Sequence, residues 1–158
     1  MKRSTWWVLA VVVGSQTLMW GVGMATEQVR TTVPAGAPAM LQRTEDAPRI
    51  EPVALAKQLA GPVKPIVIDL RQDKDFQLGH VPGAIHVSFE NLGAWLGKQS
   101  AATKRVPVVL YCACQAEHSS AAGVMMLRNN GFREALALRG SWKAWEAAGQ
   151  AVQRGPKI

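Results

Sequence analysis

The sequence predicts an α/β fold, a parallel central sheet with helices on both faces. Three observations carry that expectation. Pro65-Ile66-Val67-Ile68-Asp69-Leu70-Arg71, Val108-Val109-Leu110-Tyr111 and Ala135-Leu136-Ala137-Leu138 are short apolar runs without polar alternation, as expected of strands buried on both sides. Stretches with helical periodicity separate these runs, and strands alternating with helices imply parallel pairing. The third observation is a cysteine-bearing loop, Cys112-Ala113-Cys114-Gln115-Ala116-Glu117-His118, between the central run and the helix after it. Ligands on such sheets bind at the carboxyl ends of strands, where this loop belongs.

The elements follow in order. Lys2 and Arg3 precede an uncharged stretch that runs to Glu27, and Gly23-Met24-Ala25 offers small residues at the positions an export peptidase reads. Residues 1–25 therefore read as a cleaved signal peptide, with an uncleaved membrane anchor as the alternative. Residues 26–49, with Thr31-Thr32-Val33-Pro34-Ala35-Gly36-Ala37-Pro38, lack apolar periodicity and read as a flexible linker. The folded domain is expected over 50–154. Pro52 suits the first turn of a helix through about Leu59, which Gly61-Pro62 ends. Asp73, Lys74 and Asp75 read as an exposed turn with Phe76 packing inward. His80 to Val87 reads as a turn and a short strand. Ser88 can cap a helix carrying Phe89, Leu92, Trp95 and Leu96 and ending at Gly97.

After the central strand, Ser119 and Ser120 can cap a helix whose stripe includes Val124 and Leu127, and Asn130-Gly131 stops it. Gly140-Ser141-Trp142 then turns the chain into a last helix bearing Trp145 and stopped by Gly149. Trp95, Trp142 and Trp145 read as core or supporting residues.

Charge and cysteine usage bound the function classes. The chain has 18 Lys and Arg against 11 Asp and Glu, net +7. Cleavage after Ala25 removes Lys2 and Arg3, leaving +5. The cations are scattered, without basic runs or interleaved aromatics, which argues against nucleic-acid binding. Cys112 and Cys114 are the two cysteines of the chain, and a disulfide framework is not built from one Cys-x-Cys pair. His80 and His86 with these cysteines form no recognisable zinc spacing, so neither a metal nor another cofactor is expected. His86 reads as a core-edge residue. A thiol between a strand end and a helix start faces free N–H groups and the positive end of the helix dipole, which favours thiolate and any anion bound to it. The plain alternative is a cysteine that only packs.

Four pieces, in order, resemble the rhodanese-like domain family across roughly residues 50–154. Asp69-Leu70-Arg71 resembles its Asp-x-Arg after an early strand. Gly79-His80-Val81-Pro82-Gly83-Ala84-Ile85 resembles its Gly-His-Ile-Pro-Gly-Ala-Ile turn. Val108 to Cys112 resembles the strand that delivers its active-site cysteine. Leu138-Arg139-Gly140-Ser141-Trp142-Lys143-Ala144-Trp145 resembles its closing Leu-x-Gly-Gly-x-x-x-Trp, with serine at the second glycine. The resemblance implies a single rhodanese-like domain and a sulfurtransferase. In that chemistry a cysteine thiolate takes sulfane sulfur from a small anionic donor such as thiosulfate, becomes a persulfide, and passes the sulfur to a thiol or protein acceptor. It also implies structural roles for Asp69, Arg71, His80 and Trp142. A membrane partner enters only if residues 1–25 are retained.

The loop departs from the family pattern. Counting forward along the strand makes Cys112 the nucleophile; counting back from Gly131 selects Cys114. A loop absorbs insertions more readily than a buried strand, which favours Cys112 and leaves Cys114 as resolving thiol or alternative nucleophile. Ala113, Gln115, Ala116, Glu117, His118 and Ser119 complete the expected active-site loop. It contains no arginine, Glu117 is expected to repel thiosulfate, and His118 stands where the family often has arginine. Phosphatase chemistry, which needs an arginine clamp, is not expected. Two other functions remain open: thiol–disulfide catalysis by the cysteine pair, and a non-catalytic binding module.

Overall fold

The computed structural model describes residues 43–155. The export segment expected at 1–25 and the linker over 26–42 lie outside the described residues.

Five parallel strands form one sheet in the order β1-β5-β4-β2-β3, comprising β1 (Arg49–Ile50), β2 (Ile66–Asp69), β3 (Ile85–His86), β4 (Val108–Tyr111) and β5 (Ala135–Leu138). Five helices connect or follow them: α1 (Pro52–Ala60), α2 (Asp73–Leu78), α3 (Leu92–Gly97), α4 (His118–Asn129) and α5 (Ser141–Ala147). The α/β class and the parallel sheet covered on both faces are those the sequence predicts.

The period of two along each strand assigns the two cores. Ile68, Leu70, Val108, Leu110 and Cys112 face one layer with Leu92 of α3 and Ala121, Val124 and Leu127 of α4. Val67, Val109 and Tyr111 face the other with Leu55 of α1, Phe76 of α2, and Trp142 and Trp145 of α5. All four β4 residues have no exposed surface. Burying each such side chain contributes on the order of 1.5–3 kcal/mol, which makes β4 the best-anchored segment. From β2 the chain moves outward to β3, then returns to β4 and moves the opposite way to β5. The topological switch therefore lies between the carboxyl ends of β2 and β4, the place where such sheets bind ligands.

Several expected boundaries shift. The ordered domain begins before Ile50: a 3-10 turn spans Thr44–Asp46, Ala47 is buried, and β1 pairs with β5 through Ala137 N–H to Pro48 O (2.9 Å) and Arg139 N–H to Ile50 O (2.9 Å). A two-residue edge strand is too short to leave a periodic signal, so residues 43–49 read as linker. The expected turn at Asp73–Asp75 is the first turn of α2, where both acids favour the positive helix end; Phe76 is buried there. Ser88 makes no cap to a backbone N–H. Its Oγ accepts from Asn91 Nδ2 at 2.9 Å, and a 3-10 turn over Phe89–Asn91 precedes α3.

Helix α4 packs tightly against its neighbours at Gly123. A Cβ there would lie 2.8 Å from Leu110 Cδ2 and 3.0 Å from Leu92 Cδ2. Gly123→Ala should lower unfolding free energy by about 1–3 kcal/mol, through forced repacking of both leucines. Urea unfolding should show a reduced midpoint at unchanged slope; an unshifted midpoint would refute this close packing.

Candidate active site

The chain reverses direction in a small space after Tyr111. Cys112 is the first residue beyond β4, and the turn Cys114–Glu117 closes through Glu117 N–H to Cys114 O (3.1 Å). Glu117 then occupies the left-handed region (φ 60) and its carbonyl accepts from Ala121 N–H at 2.7 Å, which starts α4 at His118. The capping expected of Ser119 and Ser120 is thus corrected. Ser120 lies inside the first turn and its hydroxyl donates to Glu117 O at 3.1 Å.

Cys112 Sγ is buried at the centre of this arrangement. It lies 3.1 Å from Cys114 Sγ, 3.3 Å from Ser141 Oγ and 3.7 Å from Ser120 Oγ. Burial pushes the thiol up, but hydrogen bonds from Ser141, Cys114 and the Ser120 backbone N–H outweigh it and hold Cys112 below the ordinary thiol range. This is thiolate stabilisation by aimed dipoles and a helix N-terminus, without a full cationic partner.

Ser141 is the residue that sequence reasoning passed over. It replaces a glycine of the family pattern, yet it keeps a glycine-like conformation (φ 55) directly after Gly140 (φ 65). A left-handed non-glycine residue costs of order 1–3 kcal/mol and persists only where its surroundings enforce it. The enforcing contacts are visible. Ser141 Oγ accepts from Cys112 N–H at 3.1 Å, which leaves its own proton free to point at Cys112 Sγ. Trp142 N–H donates to Cys112 O at 3.3 Å. The signal was available as the serine-for-glycine departure itself.

Glu117 does not act as the loop reading expects. Its carboxylate is buried, accepting from Arg49 Nε and from Gly140 N–H, each at 2.5 Å. It clamps the start of α4 to β1 and to the Gly140 turn, with its charge met by Arg49. The negative charge that the sequence reading sets against an anionic donor is thus paired with Arg49. His118 is exposed and lies outside the cleft beside Cys112, as do Gln115 and Ala116.

That cleft, about 370 Å³, is lined by Leu70, Arg71, Gln72, Lys74, Asp75, Cys112, Ala113, Cys114 and Ser119. It occupies the switch point between β2 and β4. Cations absent from the loop are supplied by the segment after β2, as Arg71 and exposed Lys74. A second cavity of about 410 Å³ lies across Ala113, and Arg71, Asp75 and Ala113 border both.

A buried polar network holds the floor. Asp69, on the face opposite Cys112, accepts from Arg71 Nε (3.0 Å) and Nη2 (2.7 Å) and from Tyr111 OH (2.7 Å). Arg71 Nη2 also donates to Gly79 O at 2.6 Å, and Tyr111 OH accepts from Val81 N–H at 3.2 Å. Burial opposes the Arg71 charge, but Asp69 more than offsets it and raises Arg71 above its ordinary value. Burial, reinforced by Asp69, pushes the Tyr111 phenol up, so it stays a donor. The Arg71 guanidinium stacks 4.3 Å over the Trp142 ring. His80 is buried, stacked on Phe76 with ring centres 3.8 Å apart, and its Nδ1 meets Phe76 O at 2.8 Å. His86 Nε2 donates to Arg71 O at 2.8 Å. Neither histidine lines the cleft.

The family model of the rhodanese-like domain matches residues 52–148. The chain belongs to the rhodanese-like domain family, which includes sulfurtransferases. It is 33% identical over 86 residues to the uncharacterized protein YqhL of Bacillus subtilis strain 168, a match spanning 54% of this chain and 64% of that protein. It is 30% identical over 82 residues to the thiosulfate sulfurtransferase GlpE of Shewanella oneidensis, spanning 52% of this chain and 76% of that protein. Among solved structures, the Alr3790 protein from Anabaena sp. aligns with TM-score 0.58 at 23% identity, covering 66% of this chain and 82% of that one. A rhodanese-like domain protein from Staphylococcus aureus aligns with TM-score 0.58 at 22% identity, covering 69% and 99%.

Two expectations follow from the geometry. Asp69→Ala strips the buried Arg71 charge of its partner and should cost about 3–5 kcal/mol of unfolding free energy. Calorimetry or urea titration checks this, and a loss below about 1 kcal/mol would show that the network is not a structural support. Ser141→Ala should slow alkylation of Cys112 at neutral pH about tenfold, the equivalent of one hydrogen bond to an anion of ~1.5 kcal/mol. The alkylation midpoint should move up in pH. The folded thiol holds its proton less tightly than the unfolded one, so the thiolate's stabilisation is full above the unfolded value. It is lost as pH falls through the folded value, and Ser141→Ala should shrink that pH-dependent part.

Proposed function

We propose that this protein is a sulfurtransferase with Cys112 as its nucleophile. The observation that carries this reading is the Cys112 thiol itself, held towards thiolate by Ser141 and the start of α4 at the switch-point cleft. Cys112 attacks the outer sulfur of a small anionic sulfane donor such as thiosulfate. The donor's sulfur–sulfur bond breaks, sulfite departs with the bonding pair, and Cys112 becomes a persulfide. Exposed Lys74 offsets part of the donor's charge in the cleft, while N–H and O–H groups around Cys112 hold the persulfide anion. A thiophilic acceptor, a small thiol or a thiol on another protein, then removes the sulfur. The charge and small-residue pattern of residues 1–25 supports an exported setting for this activity. The similarity to GlpE, named a thiosulfate sulfurtransferase, is consistent with the reading.

A second reading, thiol–disulfide exchange by the pair, is favoured by the 3.1 Å contact between Cys112 Sγ and Cys114 Sγ. The two separate on the first product formed. Intact-mass spectrometry of reduced protein, loaded with thiosulfate or glutathione persulfide, tests sulfur uptake by wild type, Cys112→Ser and Cys114→Ser. Uptake by wild type or by Cys114→Ser that is absent from Cys112→Ser supports the proposal; uptake that persists in Cys112→Ser transfers the role to Cys114. If no form gains sulfur while the pair exchanges disulfides, the second reading stands. Lys74→Ala should lower kcat/KM for thiosulfate about fivefold or less, as expected for an exposed charge. The difference should shrink at high salt.

A further inference from the structure

Cys114 has no counterpart in the sulfur-transfer step just described, yet it is the closest side-chain neighbour of the reactive sulfur. Its Sγ lies 3.1 Å from Cys112 Sγ, and it is half-buried where Cys112 is buried. Displacement at sulfur is in-line: the attacking, central and departing sulfurs approach one straight line. Two attacks on a Cys112 persulfide are conceivable, and the separation distinguishes them. To take the outer sulfur, Cys114 Sγ would have to lie beyond it, about 5 Å from Cys112 Sγ, given a bond of ~2.05 Å and an approach of ~3 Å. To attack the inner sulfur, it need only sit about 3–3.5 Å from Cys112 Sγ, with the outer sulfur on the far side. The observed distance fits the second attack and is too short for the first.

We propose that Cys114 is the internal acceptor of this site: it attacks the inner sulfur of the Cys112 persulfide, expels hydrosulfide, and leaves a Cys112–Cys114 disulfide that an external dithiol must reopen. This rests on Cys112 being the sulfur-accepting nucleophile. The step balances within the site. A bond forms between the two Sγ atoms while the bond from Cys112 Sγ to the outer sulfur breaks. The outer sulfur leaves with the bonding pair and takes up the Cys114 proton. It is reduced to hydrosulfide, and the two cysteine sulfurs are oxidised to the disulfide.

Reopening has a built-in direction. The incoming dithiol meets half-exposed Cys114 first, forming a mixed disulfide there and expelling Cys112 as thiolate. Ser141, the Ser120 backbone N–H and the helix start already stabilise that thiolate, and the lower-pKa thiol leaves faster. The dithiol's second thiol then closes its own disulfide and frees Cys114. A Cys-x-Cys disulfide closes a small, strained ring, which also favours reduction. The partner class is therefore a dithiol reductant, and the sulfur product is hydrosulfide.

The test is an anaerobic single turnover of the full chain, fully reduced and freed of reductant. Thiosulfate is the donor, with glutathione persulfide as a second donor. Wild type should become two hydrogens lighter and release one sulfide per chain; dithiothreitol should restore the original mass. Cys114→Ser and Cys114→Ala should instead become one sulfur heavier and release no sulfide until an external thiol is added. Wild type that remains one sulfur heavier without sulfide release would overturn the internal acceptor and leave the sulfurtransferase reading standing. So would sulfur mapped to Cys114. No gain of sulfur by either Cys114 variant would overturn the sulfurtransferase reading, and the internal acceptor with it.

Discussion

The pairing of β2 with β4, with Asp69 opposite Tyr111, fixes where every other part of the site lies. Because side chains alternate across a strand, this register turns Tyr111 to the face where its hydroxyl reaches Asp69 and turns Cys112 to the face of α4. A slip of one residue would exchange the two faces, placing a thiol in the Asp69 network and a phenol under the helix start. The full burial of β4 excludes such a slip, since every one of its side chains would enter a core shaped for another.

From that register the site is assembled by three turns at the carboxyl ends of the strands. The segment after β2 supplies cations and is held by Arg71, which donates to both Asp69 and Gly79 O. The loop after β4 supplies both thiols. The turn after β5 supplies Ser141, and Glu117 clips that turn to the start of α4 through Gly140 N–H. Gly140 has little freedom to change: it is left-handed, and a Cβ would meet Ala144 Cβ at 2.6 Å. The buried acid of the loop is therefore a brace between turns, and its charge is spent on Arg49 instead of on the cleft.

The polar groups divide by face. Below the sheet edge, Asp69, Arg71 and Tyr111 form a closed set in which each buried donor or acceptor has a partner, as buried charge requires. Around Cys112 the balance differs: several donors converge on one weak acceptor, a thiol. Such a site is completed by ionisation of the sulfur, or by loading it with an anion. Structural support and chemical readiness are thus separated by a single peptide unit between Tyr111 and Cys112.

The sequence by itself determined the α/β class, the three longest strands, the family, and the candidate thiols, because buried strands, helix stops and the Gly79–Ile85 and Leu138–Trp145 motifs are contiguous signals. It left β1 hidden, since a two-residue edge strand has no period to read. It did not show the pairing of Glu117 or a cation beside the loop, because Arg49 lies 68 positions before Glu117 and Lys74 lies 38 positions before Cys112. Only the tertiary structure brought Ser141 under Cys112 and set the two sulfurs 3.1 Å apart. Local sequence encodes periodicity and turn chemistry. Which side chains share one small volume at the end of a parallel sheet is decided by strand order and register.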